Sequence, residues 1–326
     1  MPHPAPNLYS LLADIGGTNT RVALAEGGRL LPRTIRRFAN AGHRSLDEVL
    51  GAFIAAEGNP DCAGACVAAA GPVRDGVASM TNLDWTIDAG AVARAARAET
   101  VAVLNDLQAQ GHALGHLAPE ALREVVAGPP PAPGASQLVV GVGTGFNAAP
   151  VHEAPGGRIV AASECGHTSL PVRTEADLRL LRFVETVHGF PGVEDVLSGR
   201  GLERLYTFVT AEAGARTELP AAAIMEAMNG RAPMALETGR IFARLLGAVV
   251  GDLALNHLPF GGVYLCGGVA RAFAPWFAEF GFADAFHDKG RFSGFMQNFR
   301  VAVIEDDYAA LTGCAVHLQS LMAAPR

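Results

Sequence analysis

The chain has 326 residues, half of them apolar and 17% charged, with a formal net charge of −7. That length buries a large core and points to two lobes. The acidic balance, with no basic cluster, argues against nucleic acid as the main partner, and no apolar run approaches the roughly 20 residues that cross a bilayer. Five scattered cysteines (Cys62, Cys66, Cys165, Cys266 and Cys314) and an N-terminal Met1-Pro2-His3-Pro4-Ala5-Pro6 without basic or apolar signal regions lead to the expectation of a reduced, cytoplasmic protein without a membrane anchor.

In chain order, Tyr9-Ser10-Leu11-Leu12-Ala13 and Arg21-Val22-Ala23-Leu24 read as strands joined by a tight hairpin, with Asp14-Ile15-Gly16-Gly17-Thr18-Asn19 between them. The spacing of Leu46, Val49, Leu50, Phe53 and Ile54 predicts a helix from Ser45 to Ala56. Ala65 to Ala70 reads as a buried strand ending at Gly71-Pro72, Thr86 to Ala98 as a helix, and Thr100 to Leu104 as a strand that stops at Asn105-Asp106, where a further helix begins. The order βββαβαβα implies a mixed sheet covered by helices.

Gly128-Pro129-Pro130-Pro131-Ala132-Pro133-Gly134 is excluded from helix and from central strand. The glycine hairpin then recurs, with Gly141-Val142-Gly143-Thr144-Gly145 between Gln137–Val140 and Ala148–Val151. Helices are predicted over about 174–188, 198–213, 220–228 and 233–257. Strands at Gly262–Cys266 and Arg300–Ile304 and a C-terminal helix from about Asp307 follow. The second half therefore repeats a hairpin-first α/β plan.

Glycine lets a ligand approach bare backbone N–H groups, and a neighbouring threonine adds a hydroxyl donor. One Gly-Gly turn is equally an ordinary turn, but two such hairpins suggest a phosphate gripped from both sides. Gly141-x-Gly143 is a weak dinucleotide signal, since Phe146 takes the last glycine position and a strand follows. Lys289 is the sole lysine, so neither a Walker A loop nor a protein-kinase lysine exists. Any ATP is then held by backbone amides, hydroxyls and a metal ion, with Asp14 near Mg²⁺ through water.

Asn105-Asp106 ends a strand, where active-site carboxylates sit in open α/β sheets. A helix N-terminal cap is the alternative there, and the two roles are compatible. Ser163-Glu164-Cys165-Gly166-His167, with Glu194 further on, offers two carboxylates and an imidazole to several hydroxyls at once. A metal pair on one helical face is disfavoured by the glycine, a structural histidine remains open, and Cys165 reads as a packing residue. Gly267-Gly268 after a strand either approaches a flat nucleoside or makes a tight strand-to-helix turn.

Taken in order, these residues resemble the bacterial glucokinase family of the sugar kinase, heat-shock chaperone and actin superfamily. The resemblance runs through Asp14-x-Gly16-Gly17-Thr18-Asn19, Met80-Thr81-Asn82-x-x-Trp85, Asn105-Asp106 and Gly141-x-Gly143-Thr144-Gly145. It continues through Glu164-x-Gly166-His167, Glu194-x-Val196-Leu197-Ser198-Gly199, Gly261-Gly262-Val263, Gly267-Gly268 and Asp288-Lys289-Gly290-Arg291-Phe292. It implies a two-lobed actin-like (ribonuclease-H-like) α/β fold with a mixed sheet in each lobe and an interlobe cleft. Residues 1–116 with about 307–326 would form the small lobe and 117–306 the large one.

The implied activity is ATP-dependent phosphorylation of glucose at O6 with Mg²⁺, by a homodimer. Another hexose or hexosamine, or a sugar sensor on the same scaffold, is the alternative. By the resemblance Asp106 matches the catalytic base, and Asn105, Glu164, His167 and Glu194 match sugar ligands. Ala13, Asp14, Ile15, Gly16, Gly17, Thr18 and Asn19, with Gly143, Thr144 and Gly145, match the phosphate loops, and Gly267 and Gly268 the nucleoside turn. Asn147 and Cys165 stand where the family often has glycine, which bears on affinity and sugar choice. The zinc-binding cysteine cluster of the repressor-type relatives is missing, and no DNA-binding segment precedes the first hairpin, which lowers a regulator role.

Overall fold

The computed structural model describes residues 9–80 and 83–323. Thr81 and Asn82 of the Met80 motif, and the Met1–Pro6 segment, lie outside the described residues. The chain opens with β1 (Tyr9–Ile15), β2 (Asn19–Glu26), β3 (Arg29–Leu30), β4 (Arg36–Ala39), α1 (Leu46–Ala56) and β5 (Cys62–Ala69). There follow β6 (Val73–Arg74), β7 (Val77–Ser79), β8 (Thr86–Asp88), α2 (Ala89–Ala96), β9 (Thr100–Asn105) and α3 (Asp106–Ala113). Next come β10 (Leu122–Val126), β11 (Gln137–Val142), β12 (Phe146–Ala154), β13 (Gly157–Val160), α4 (Glu175–His188) and α5 (Gly199–Glu212). The rest is α6 (Ala221–Asn229), α7 (Pro233–His257), β14 (Val263–Cys266), α8 (Gly268–Phe273), α9 (Phe282–His287), β15 (Val301–Ile304) and α10 (Ala309–Ala323).

Two compact units result: one within Met1–Ala118, Pro155–Val160 and Asp306–Arg326, the other within Pro119–Ala154 and Ala161–Glu305. In the first unit the sheet order is β3-β2-β1-β5-β9, with β4 also on β2. β1 and β2 are the antiparallel hairpin, whereas β1, β5 and β9 run parallel. Strand periodicity builds a core on each face. Leu11, Ala13, Ile15, Val67 and Ala69 pack with Leu46, Val49, Leu50 and Phe53 of α1. The intervening Leu12, Cys66 and Ala68 pack with Ala109 of α3 and Leu311, Cys314 and Leu318 of α10. Ile15 lies opposite Ala69, and Ala69 opposite Asn105, so the three parallel strands end level. That edge is where open α/β sheets expose functional groups.

The second unit repeats this plan. Its strands lie in the order β10-β15-β14-β11-β12, with β11 and β12 antiparallel and β11, β14 and β15 parallel. Leu138, Val140 and Val142, with Val263, Leu265, Val301 and Val303, pack against Leu202 and Leu205 of α5 and Phe242, Leu246 and Val250 of α7. Burying each such side chain stabilises by roughly 1.5–3 kcal/mol.

Thr86 to Ala98 is not one helix. Thr86–Asp88 pairs with β7, and α2 starts at Ala89 because the Asp88 carboxylate caps it, accepting from Ala91 N–H at 2.9 Å. β10 had no counterpart among the predicted elements. It pairs with β15 and sits at the sheet edge, where Arg123 meets Glu305 at 2.7 Å and Glu124 meets Arg300 at 3.1 Å. Charged residues are the usual guard of such an edge, and they hide the apolar alternation from a sequence reading.

The helix that begins at Asp106 is held from behind by α10. Gly313 is the contact point, because a Cβ there would overlap the Ala109 carbonyl oxygen. Gly313→Ala should therefore push the two helices apart and lower stability by about 1–3 kcal/mol. Thermal unfolding of the purified variant checks this; an unchanged melting temperature would mean that the helices tolerate a methyl group there.

Candidate active site

The first hairpin is shaped by hydrogen bonds at its tip. Gly16 N–H donates to Asn19 O at 3.0 Å. Gly17 and Thr18 are exposed, while the Ala13 and Ile15 side chains are buried in the core and leave only backbone groups for a ligand. Asn40, from a loop that no sequence signal marked, closes the turn. Its Nδ2 donates to Gly16 O at 2.8 Å, its N–H to Thr18 O at 2.9 Å, and its Oδ1 accepts from the buried Thr20 hydroxyl at 2.8 Å.

Two carboxylates lie at the level edge of the parallel strands. Asp14 Oδ2 accepts from Arg21 at 3.1 Å. Burial nonetheless raises the Asp14 pKa against the pull of that guanidinium. Asp106 is the first residue of α3, and its Oδ1 accepts from Leu107 N–H at 2.9 Å. Burial, and then the charge of Asp14, push Asp106 up to about 6, against the Leu107 and Asp106 N–H groups and the Asn105 side chain.

Asn105 is the helix cap the sequence allowed for. Its Oδ1 accepts from Leu107 N–H at 3.0 Å, its Nδ2 donates to Gly71 O at 3.0 Å, and Gln108 Oε1 accepts from its N–H at 3.0 Å. The capping box leaves one amide hydrogen of Asn105 for a further partner.

In the second unit, the sugar-type residues gather around the second hairpin. Gly143 N–H donates to Gly145 O at 2.9 Å, and Gly143 O accepts from Gly199 N–H at 2.8 Å, tying the tip to the start of α5. Phe146 N–H donates to Glu194 Oε2 at 2.9 Å. A Cβ at Gly145 would stand 2.5 Å from that same oxygen, so a side chain there would push the carboxylate out of this position. Glu194 N–H also donates to Gly166 O at 2.8 Å, which seats it on the Cys165–His167 3-10 turn. Glu164 precedes that turn and His167 ends it, both exposed, with His167 Nε2 and Glu164 Oε2 4.0 Å apart. Cys165 is half-buried against the larger core, and burial raises its thiol, so it is no thiolate nucleophile.

Gly267 takes φ +99°, and a Cβ on it would overlap Val142 O, so glycine is required where β14 turns past the hairpin. Gly268 opens α8, and the tight strand-to-helix turn is what this segment forms. A Cβ at Gly143 or Gly268 would meet nothing within 4 Å, so the space beside both residues is open, although Gly143's own N–H and C=O are already bonded. The exposed Thr144 completes that tip.

Lys289 is spent elsewhere: Nζ donates to Asp252 Oδ1 at 2.6 Å and to Ala248 O at 2.7 Å. Among the described residues, no group of three or more His, Cys, Asp or Glu could cage a metal ion. Asp14 is a single carboxylate with one oxygen committed to Arg21. That suits a hard cation arriving on a phosphate with its own waters, as Mg²⁺ does.

Two α/β units with matching glycine hairpins define the two-lobed, actin-like class. A glucokinase from an Antarctic psychrotroph is similar at a TM-score of 0.85 and 30% identity, over 95% of this chain and 98% of that one. The family profile described as Glucokinase matches residues 11–321, and the chain belongs to the glucokinase family. A glucokinase of Marinobacter nauticus is 32% identical over 309 residues, which is 94% of this chain and 96% of the relative. A glucokinase from Streptomyces griseus, solved with glucose and AMPPNP, shares the fold at a TM-score of 0.62 and 21% identity, over 94% of this chain and 98% of its own.

Asn40→Ala would strip partners from Gly16 O and the Thr20 hydroxyl at once, and should cost about 1–3 kcal/mol. Hydrogen exchange should accelerate over Gly16–Thr20 in particular. Unchanged protection there would show that the hairpin holds without Asn40.

Proposed function

We propose that the protein is an ATP-dependent glucokinase that phosphorylates D-glucose at O6, with Asp106 as general base. The observation that carries this is the Asp106 carboxylate, placed at the carboxyl edge of the parallel strands with its proton affinity raised to about 6. Such a group is ionised at neutral pH yet basic enough to share a proton in flight. Family membership supplies the reaction class, and the glucokinase relatives and the glucose–AMPPNP complex of the Streptomyces griseus neighbour support the substrates.

Asp106 accepts the O6 proton as that oxygen bonds to the γ-phosphorus. The bond from this phosphorus to the β,γ-bridging oxygen breaks, and ADP leaves. The backbone N–H groups and threonine hydroxyls of both hairpins stabilise the charge on the transferring group, and Gly267-Gly268 borders the nucleoside. Asp14 would hold Mg²⁺ through water, and the ion would supply charge neutralisation on the phosphates. Asn105, Glu164, His167 and Glu194 take the sugar hydroxyls. A cytoplasmic homodimer completes the proposal. It draws on the family resemblance, on five cysteines that are all free, and on the absence among the described residues of any helix long and apolar enough to cross a membrane.

Asp106→Asn should lose at least about 10²-fold in turnover while glucose still binds. ADP release across a panel of hexoses and hexosamines, with and without sugar, checks both base and substrate; near-normal turnover of the variant, or no sugar-stimulated ADP, sinks the assignment.

The pH dependence follows from the sign of the shift. The folded pKa of Asp106 lies above its ordinary 3.8. As pH falls through about 6 the base is protonated, and kcat/KM should drop roughly tenfold per unit below that. The same shift means that the folded state binds this proton more tightly than the unfolded state, so ionisation of Asp106 lowers stability as pH rises. Asp106→Asn should therefore melt higher than the parent at pH near 8, the gap closing as pH falls through about 6. A gap that ignores pH would mean that the carboxylate is not the strained group.

A further inference from the structure

The positions where this chain departs from the glycine pattern, Asn147 and Cys165, are joined to one another. Asn147 is the second residue of β12, directly after the N–H group that holds Glu194. Its Oδ1 accepts from Cys165 N–H at 3.1 Å and from the Ser163 hydroxyl at 3.0 Å, and lies 3.5 Å from Cys165 Sγ. Its Nδ2 donates to Ser163 O and, at 3.2 Å, to Glu164 Oε2. We propose that Asn147, braced by Cys165, is a positioning residue that presets the Glu164 carboxylate for sugar hydroxyls and so sets glucose affinity. This rests on the assignment of Glu164 as a sugar ligand.

A glycine at position 147 offers none of these bonds. Glu164 is a long, exposed side chain, and His167 Nε2 lies 4.0 Å from the same Oε2. Left alone, such a chain samples several rotamers, and ordering it counts against binding. The Asn147 amide removes part of that cost beforehand by holding Oε2 with a donor, which leaves Oε1 for the ligand. A carboxamide suits both neighbours, because it offers a donor to Glu164 and an acceptor to Cys165 from separate atoms. Burial keeps the Cys165 thiol protonated, so its S–H faces the Asn147 oxygen as a weak donor. The thiol contact at 3.5 Å therefore adds to a backbone N–H bond that any non-proline residue at 165 would make.

Asn147→Asp keeps the shape and the acceptor but replaces the donor with a negative oxygen beside Glu164. Steady-state kinetics of the protein should show glucose KM raised about tenfold or more, with kcat within about threefold and ATP KM unchanged. Asn147→Gly, which removes the donor without adding charge, should move glucose KM in the same direction and guards against a folding defect of the aspartate variant.

Glu164→Gln alone and with Asn147→Asp completes a cycle. If Glu164→Gln leaves glucose KM unchanged, the sugar-ligand assignment itself fails. If it raises KM while both Asn147 variants do not, or if the two changes simply add, Asn147 does not act through Glu164 and the positioning role is overturned. Loss of most of the Asn147→Asp effect in the Glu164→Gln background is the expected result.

Discussion

The short backbone run from Gly145 to Asn147 ties the second glycine hairpin to the Glu194 and Glu164 carboxylates. Phe146 N–H holds Glu194, the Asn147 amide holds Glu164, and the missing side chain at Gly145 makes room for the Glu194 oxygen. The hairpin and Glu194 are coupled, because a shift of the Phe146 N–H group, at 2.9 Å, would leave a partly buried carboxylate without that partner. Charge-assisted hydrogen bonds of this kind are stronger than neutral ones and costly to leave unmade. Gly166 and Gly199 then fasten this junction to the 3-10 turn and to α5.

The first unit answers with a different constraint. Its parallel strands end level, which places Asp14 and Asp106 on one edge and partly out of water. Like charges at such an edge raise each other's proton affinity, and burial adds to it. Arg21 relieves Asp14, whereas Asp106 has only N–H groups and the Asn105 amide. A fold selected for stability alone would not keep that carboxylate there, a common trade at working sites. The glycine contact of α10 with α3 and the capping box at Asn105 are the supports that hold it in place.

Much of this was legible in the chain. Both hairpins, the Asn105-Asp106 strand end and the long α7 lie where apolar periodicity and glycine placement put them, because each is a local feature. Asn40 was not legible: it sits more than twenty positions from the carbonyl it holds and carries no periodic or motif signal. β8 and β10 were missed for related reasons, since each is short and stabilised by strands elsewhere in the chain rather than by its own pattern. Asn147 and Cys165 were visible as departures, but nothing in their spacing of eighteen residues said that one would bond to the other.

The sequence by itself determined the paired glycine hairpins, the hairpin-first α/β plan of both halves, and the absence of a lysine-based phosphate site, since these depend on residue type and short spacing. Only the tertiary structure decided that Lys289 is committed to Asp252 and Ala248, that Asp106 shares its edge with Asp14, and that Asn147 reaches Glu164. Those facts depend on strand register and on contacts between distant segments. Burial and hydrogen-bond partners follow from where the chain returns in space, which residue order alone does not specify.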